Sequence, residues 1–155
     1  MTDPSQHPSP PERLLAAARW DLLPGHPWAG LVSTPPAEVR RVAVDGRLCR
    51  TKDGMLSTWA RALAFPEYFG HNWDAFEECL GDILHPATAP DRPRPGLLLL
   101  LDEADALLAD APEAELTTLL RILDAAAVDH LLTVLFTSRD PVATAYRLRT
   151  AALSL

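Results

Sequence analysis

Between Ala62 and Asp91 the chain carries six carboxylates and no Lys or Arg: Glu67, Asp74, Glu77, Glu78, Asp82 and Asp91. Such residues can act as general acids and bases, help to hold a metal, or attract a basic partner. Acid–base catalysis needs a concave apolar site around a carboxyl pair, and nothing in the sequence near Asp74 and Glu78 marks one. A zinc site is not expected either. The histidines His7, His26, His71, His85 and His130 are scattered without metal-ligand spacing, and Cys49 and Cys79 form no C-x-x-C. Recognition is left. Asp74, Glu77 and Glu78 are spaced i, i+3 and i+4, which groups them on one side of a helix with no cation nearby in the sequence. This surface repels nucleic acid and attracts a basic protein.

A run of acids on a helix is ordinarily a solvated face. Here an aromatic loop precedes it, and exposed aromatics beside carboxylates are common interface anchors. Tyr68 and Phe69 lie just before Gly70. Phe69 has no hydroxyl to satisfy and is expected to cover the helix start, leaving Tyr68 outside. Gly70 is expected to allow a positive φ or the close approach of another backbone. Asn72 is expected to cap the helix.

Other motifs fall away on inspection. Leu97 to Ala104 reads as five Leu, Asp, Glu and Ala, the pattern of a Walker B strand, and Phe136-Thr137-Ser138 resembles an ATPase sensor strand. The phosphate-cradling G-x-x-x-x-G-K-[ST] loop is missing, and no Gly-Lys pair occurs, so ATP chemistry is not expected. Cys79 reads as a small buried thiol rather than a nucleophile. Ser138 and Ser154 lack a G-x-S-x-G setting. The chain is not expected to be an enzyme.

These residues need a scaffold. Arg41–Arg47 alternates polar and apolar residues and predicts a strand. Asp53 is the expected N-cap of a helix to Ala64, with Met55, Leu56, Trp59 and Leu63 as its stripe. A second helix runs from Asn72 to about Leu84 and buries Trp73, Phe76, Leu80 and Ile83. Pro86–Pro95 is a proline-rich crossover. Leu97–Leu101 predicts a buried parallel strand. A short helix at Ala104–Leu108 and a longer one from Pro112 to Ala127 follow, the latter burying Leu116, Leu119, Leu120 and Leu123. Leu131–Thr137 predicts the last strand. Strands separated by helices favour parallel pairing, so the expected fold is α/β, a small three-stranded parallel sheet packed by helices. Three segments are expected: an N-terminal extension (1–38), one domain (39–138) and a C-terminal tail with a helix near Pro141–Leu148 (139–155). In the extension, 1–11 is expected to be disordered and Glu12–Trp20 helical. The prolines and glycines of Asp21–Ala37 should break regular structure there, with Trp28, Leu31 and Val32 pinning the segment to the domain.

The whole chain of 155 residues is long enough for one sizeable core, with 48% hydrophobic residues and a net charge of −7. No apolar run approaches a membrane span, and the first residues do not form a signal peptide. Two cysteines make no disulfide framework, which favours a reducing, cytoplasmic setting.

The string from Pro66 to Leu80, Pro-Glu-Tyr-Phe-Gly-His-Asn-Trp-Asp-Ala-Phe-Glu-Glu-Cys-Leu, resembles the signature of the barstar family, intracellular inhibitors of barnase-type ribonucleases. The resemblance covers about Arg40 to Thr137. It implies the same three-stranded fold, no cofactor, and a monomer that binds a basic secreted-type microbial ribonuclease one-to-one. It also implies site roles. The acid at Glu78 enters the nuclease phosphate site, Asp74 lies near it, and Tyr68 packs on the catalytic histidine. Gly70 and Asn72 shape the loop, and Asp124 corresponds loosely to a further acid on the penultimate helix. Three departures bear on which nuclease is bound. His71 replaces an acid, Glu77 replaces a bulky aromatic, and Glu78 is one methylene longer than the usual Asp. The competing expectation is an interaction module that turns the same acidic face on a basic partner other than a nuclease.

Overall fold

The computed structural model describes residues 21–24, 39–86, 96–127 and 132–153. The expectations for 1–11, for a helix at Glu12–Trp20, for Trp28, Leu31 and Val32, and for most of the Pro86–Pro95 crossover lie outside these residues. In chain order the elements are β1 (Asp21–Pro24), β2 (Val39–Asp45), α1 (Lys52–Ala62), α2 (Trp73–Leu84), β3 (Gly96–Asp102), α3 (Glu113–Ala126), β4 (Leu132–Ser138) and α4 (Pro141–Leu153). Two short 3-10 turns, Gly46–Leu48 and Ala104–Ala106, follow β2 and β3.

The expected three-stranded parallel sheet is β4-β3-β2. Val39 to Asp45 stands against Gly96 to Asp102, and Leu97 to Leu101 against Leu132 to Phe136. A fourth strand extends it: β1 pairs in parallel with the free edge of β4, Asp21 opposite Leu135 and Pro24 opposite Ser138. The proline- and glycine-rich spacing of 21–37 predicts no such strand. Pro24 is the last residue of β1, which stands at one end of the sheet among the described residues, a position where a proline is tolerated.

β3 is central, and each of Leu97 to Leu101 is buried, as a strand covered on both faces requires. Leu97, Leu99 and Leu101 join Val42, Val44, Val134 and Phe136 in one core with the helices. α1 contributes Met55, Leu56 and Trp59, and α3 contributes Leu116, Leu119, Leu120, Ile122 and Leu123. The N-cap of α1 is Thr51 rather than Asp53: the Thr51 hydroxyl accepts from the Gly54 N–H at 3.1 Å, and Asp53 sits in the first turn, where its charge complements the helix dipole. Pro112 precedes the first residue of α3 as its N-cap, without a side-chain bond. Within the expected tail, Pro141–Leu153 forms α4, five residues longer than the expected helix, and buries Leu148 and Ala151 against the core.

The starts of α1, α2 and α3 are tied together by Glu115. It accepts from the Trp73 indole N–H at 2.6 Å and lies 3.9 Å from Lys52 Nζ, which sits 5.7 Å from the Trp73 ring centroid. These contacts set the pose of α2, the helix that carries the carboxylates.

Candidate functional site: an acidic helix with an aromatic loop

The loop before α2 is built on a β-turn. The Phe69 N–H donates to the Pro66 carbonyl at 3.0 Å, so Glu67 and Tyr68 occupy the two central positions and project outward. Tyr68 is 82% exposed. Phe69 turns in, its ring 5.1 Å from Phe65, and Phe65 lies 5.8 Å from Phe76 in the core. Trp59 and Trp73 flank Phe76 at 5.5 and 5.9 Å. A continuous series of tilted and edge-on rings thus anchors the loop to the core, a favourable arrangement for aromatic pairs.

The loop's backbone differs from expectation at one residue. The left-handed position is His71, with φ 48°, and not Gly70. His71 is held there by its ring, 4.9 Å from that of Phe69, and by Nδ1, 3.2 Å from the Phe69 carbonyl oxygen. Gly70 instead makes room for the cap. A Cβ on Gly70 would stand 3.0 Å from Asn72 Nδ2. Asn72 uses both ends of its amide: the oxygen accepts from the Ala75 N–H at 2.8 Å, and the nitrogen donates to the Gly70 carbonyl at 3.2 Å. One side chain therefore caps α2 and pins the loop to it.

Phe76, Cys79, Leu80 and Leu84 form the buried side of α2, with Trp73 and Ile83 packed at its margin. Asp74, Glu77 and Glu78 are all exposed. The structure separates them more finely than their spacing does. Asp74, Glu78 and Asp82 repeat every four residues along the outer face, and Asp82 is exposed as well. Along α2 the sequence reading of the site stops at Glu78; the i+4 spacing to Asp82 was the signal that extends it. Glu77 turns toward α3, where Arg121 Nη1 lies 3.8 Å from its carboxylate. This cation is 44 positions away in sequence and invisible to a local reading. Asp124 is half-buried on α3, three residues beyond Arg121. Tyr68, Gly70, Asn72, Asp74 and Glu78 are thereby placed on one continuous loop and helix, while Glu77 turns to the junction of α2 and α3 and Asp124 lies on α3.

The alternatives for catalysis gain no support from these contacts. Cys79 is buried, and burial, with Asp82 and Glu78 adding to it, pushes its thiol pKa up. Burial pushes the Cys49 thiol up to about 11. Both thiols are poor nucleophiles for that reason. The acids after β3 are committed locally: Asp102 accepts from the Thr137 hydroxyl and, at 3.0 Å, from the Glu103 N–H, and Glu103 pairs with Arg139 at 3.0 Å. Among the described residues no group of His, Cys, Asp and Glu could hold a metal ion, and no helix is long and apolar enough to cross a membrane.

Fold and surface together define a small parallel α/β domain presenting a capped acidic helix with an aromatic loop at its start. The sequence matches the family Barstar (barnase inhibitor) over residues 39–139, and the chain belongs to that family. α4 lies beyond the matched span. The family is one of inhibitors rather than enzymes. No curated protein matches the sequence. Among solved structures, the fold is similar to Cdc6p from Pyrobaculum aerophilum, with a TM-score of 0.54 and 18% identity over 83% of this chain. This chain spans 36% of that protein's length, and the likeness is one of fold alone.

Proposed function

We propose that this chain inhibits a basic, secreted-type microbial ribonuclease by filling its active-site cleft with the Tyr68 loop and the acidic face of α2. The observation that carries this reading is Tyr68, 82% exposed on a braced turn and followed within ten residues by the exposed carboxylates Asp74 and Glu78. An exposed aromatic ring loses much water-accessible area when it docks, and a rigid loop loses little entropy on binding. A ribonuclease binds RNA phosphates with cationic side chains. Carboxylates presented on a helix replace those phosphates and accept charge-assisted hydrogen bonds from Arg. Glu78 is the central acid, with Asp74 beside it and Glu77 and Asp124 at the periphery. Gly70 and Asn72 set the loop. Residues 39–138 carry this activity as one domain, the inhibitor is a monomer that binds one-to-one, and it acts in the cytoplasm of the cell it protects.

The test is inhibition of a panel of purified barnase-type ribonucleases by the full chain, with Glu78→Ala alongside. Stoichiometric inhibition that weakens in the variant supports the reading. A folded chain that inhibits none of them overturns it and leaves the acidic face to a basic partner other than a nuclease.

A further inference from the structure

His71 stands between two anchors of the proposed interface, three residues after Tyr68 and three before Asp74, and like them it is exposed. Its backbone lies in the left-handed region at φ 48°, although the residue before it is a glycine, which adopts that region freely. A strained non-glycine residue persists only where its surroundings fix it, and such residues gather at binding sites. Here the ring is what is fixed, 4.9 Å from the ring of the buried Phe69.

That fixed position also decides which ring nitrogen is left for a partner. Nδ1 lies 3.2 Å from the Phe69 carbonyl oxygen. A carbonyl only accepts, so Nδ1 carries the N–H, and in neutral imidazole Nε2 then holds a bare lone pair. Nε2 has no hydrogen-bond partner among the described residues. The charged and titratable groups on the elements around it are Glu67 and Tyr68 on the turn, Asp74 and Glu78 on α2, and Lys52 of α1 with Glu115 of α3, which pair at 3.9 Å beside Trp73. Among the described residues, none of them bonds to the His71 ring.

We infer that His71 is a further contact residue of this face, whose Nε2 accepts a hydrogen bond from a cationic N–H donor of the basic partner; that the partner is a ribonuclease rests on the reading above. Neutral imidazole makes this bond. Imidazolium has no acceptor left and repels the donor. The complex therefore holds one proton fewer than the separated proteins, so affinity falls as pH falls. His71 makes the grip sensitive to mild acid where a carboxylate, which ordinarily keeps its charge to lower pH, holds on.

The experiment measures inhibition constants of the full chain, His71→Gln and His71→Phe against a barnase-type ribonuclease that the parent chain inhibits, from about pH 7.5 to about pH 5.5. Gln offers an acceptor that takes up no proton. Phe keeps a ring for Phe69 and offers no acceptor. The titrations of the nuclease itself are common to all three chains, so only differences between the profiles count. Parent affinity relative to His71→Gln should fall by up to about tenfold over this range, the most that one imidazole titrating near about 6.5 can give. His71→Phe should bind about tenfold less tightly than the parent at about pH 7.5, with a profile parallel to that of His71→Gln. Parallel profiles for the parent and His71→Gln, or undiminished binding by His71→Phe, overturn the assignment, while the inhibitor reading stands if Glu78→Ala weakens inhibition. Imidazole spectra of the nitrogen-labelled free chain supply a check that needs no partner: neutral His71 should carry its proton on Nδ1, and a proton on Nε2 overturns the assignment. If no ribonuclease is inhibited, the inhibitor reading falls and this contact with it.

Discussion

Tyr68 and Phe69 are neighbours in the chain and opposite in environment: the first is 82% exposed and the second 7%. The β-turn closed by the Phe69 N–H and the Pro66 carbonyl causes the split, because it directs one ring to solvent and the next onto Phe65. Substitution should separate binding from stability at this pair. Phe69→Ala should destabilise the domain by about 3–5 kcal/mol, as for other buried aromatics. Tyr68→Ala should leave stability within about 0.5 kcal/mol and weaken ribonuclease binding by about 2 kcal/mol, the amount usual for an interface anchor. Urea unfolding and inhibition titrations read the two effects. Equal loss of stability in both variants would show that Tyr68 serves packing.

Glu78 faces away from the buried side of α2, so Glu78→Ala should inhibit less well while melting within a few degrees of the parent chain. Electrostatic attraction should also set the encounter rate. Raising salt shortens the screening length to about 10 Å at 0.1 M, so association should slow steeply with ionic strength. Stopped-flow association at several salt concentrations checks this, and a flat profile removes steering from the mechanism.

Asn72 caps α2 and holds Gly70, so Asn72→Ala should cost about 0.5–2 kcal/mol of stability. Gly70→Ala should also destabilise, because its Cβ would stand 3.0 Å from the Asn72 amide nitrogen. The double variant should be less destabilised than the sum, since both changes disturb one contact. Strict additivity in chemical denaturation would show that Gly70 matters for some other reason.

Gly81 sits inside α2 with open space where a Cβ would be. Gly81→Ala should therefore stabilise the chain by about 0.5–1 kcal/mol through reduced backbone freedom in the unfolded state. Loss of stability, measured by thermal melting, would mean that α2 cannot accept a methyl group there.

Burial raises the Cys49 thiol from 9.0 to about 11. A group whose pKa is raised by folding contributes its full stability below the unfolded value and loses it as pH rises through the folded one. The contribution should thus be complete below pH 9 and disappear between about pH 9 and 11, a loss of up to about 2–3 kcal/mol. Urea unfolding of the parent chain and of Cys49→Ala across this range isolates it. Parallel pH profiles for the two would show that the thiolate is tolerated in the core.

Much of this protein was legible in its sequence, because the relevant forces act over a few residues. Five consecutive leucines read as a central strand, since only burial on both faces accommodates them. The stripes of α1, α2 and α3 follow from helical spacing, and Asn72 was recognisable as a cap because its bond spans three residues. The outward Tyr68 and inward Phe69 followed from the need of a hydroxyl for a partner. The family string between Pro66 and Leu80 pointed to the same loop and helix.

What the tertiary structure alone decided lies in contacts between distant residues. Asp21–Pro24 forms a strand because the edge of β4 supplies its partner; four residues carry too little pattern to show it. Thr51, itself a good N-cap residue, caps α1 two positions before Asp53. His71 rather than Gly70 takes the positive φ, because its ring packs on that of Phe69. Arg121 reaches Glu77 across the junction of α2 and α3, so the acid that looks unpaired in sequence has a cation beside it. The junction exists only because two helices whose last residues, Leu84 and Ala126, are 42 positions apart pack side by side, a relation that no local periodicity encodes.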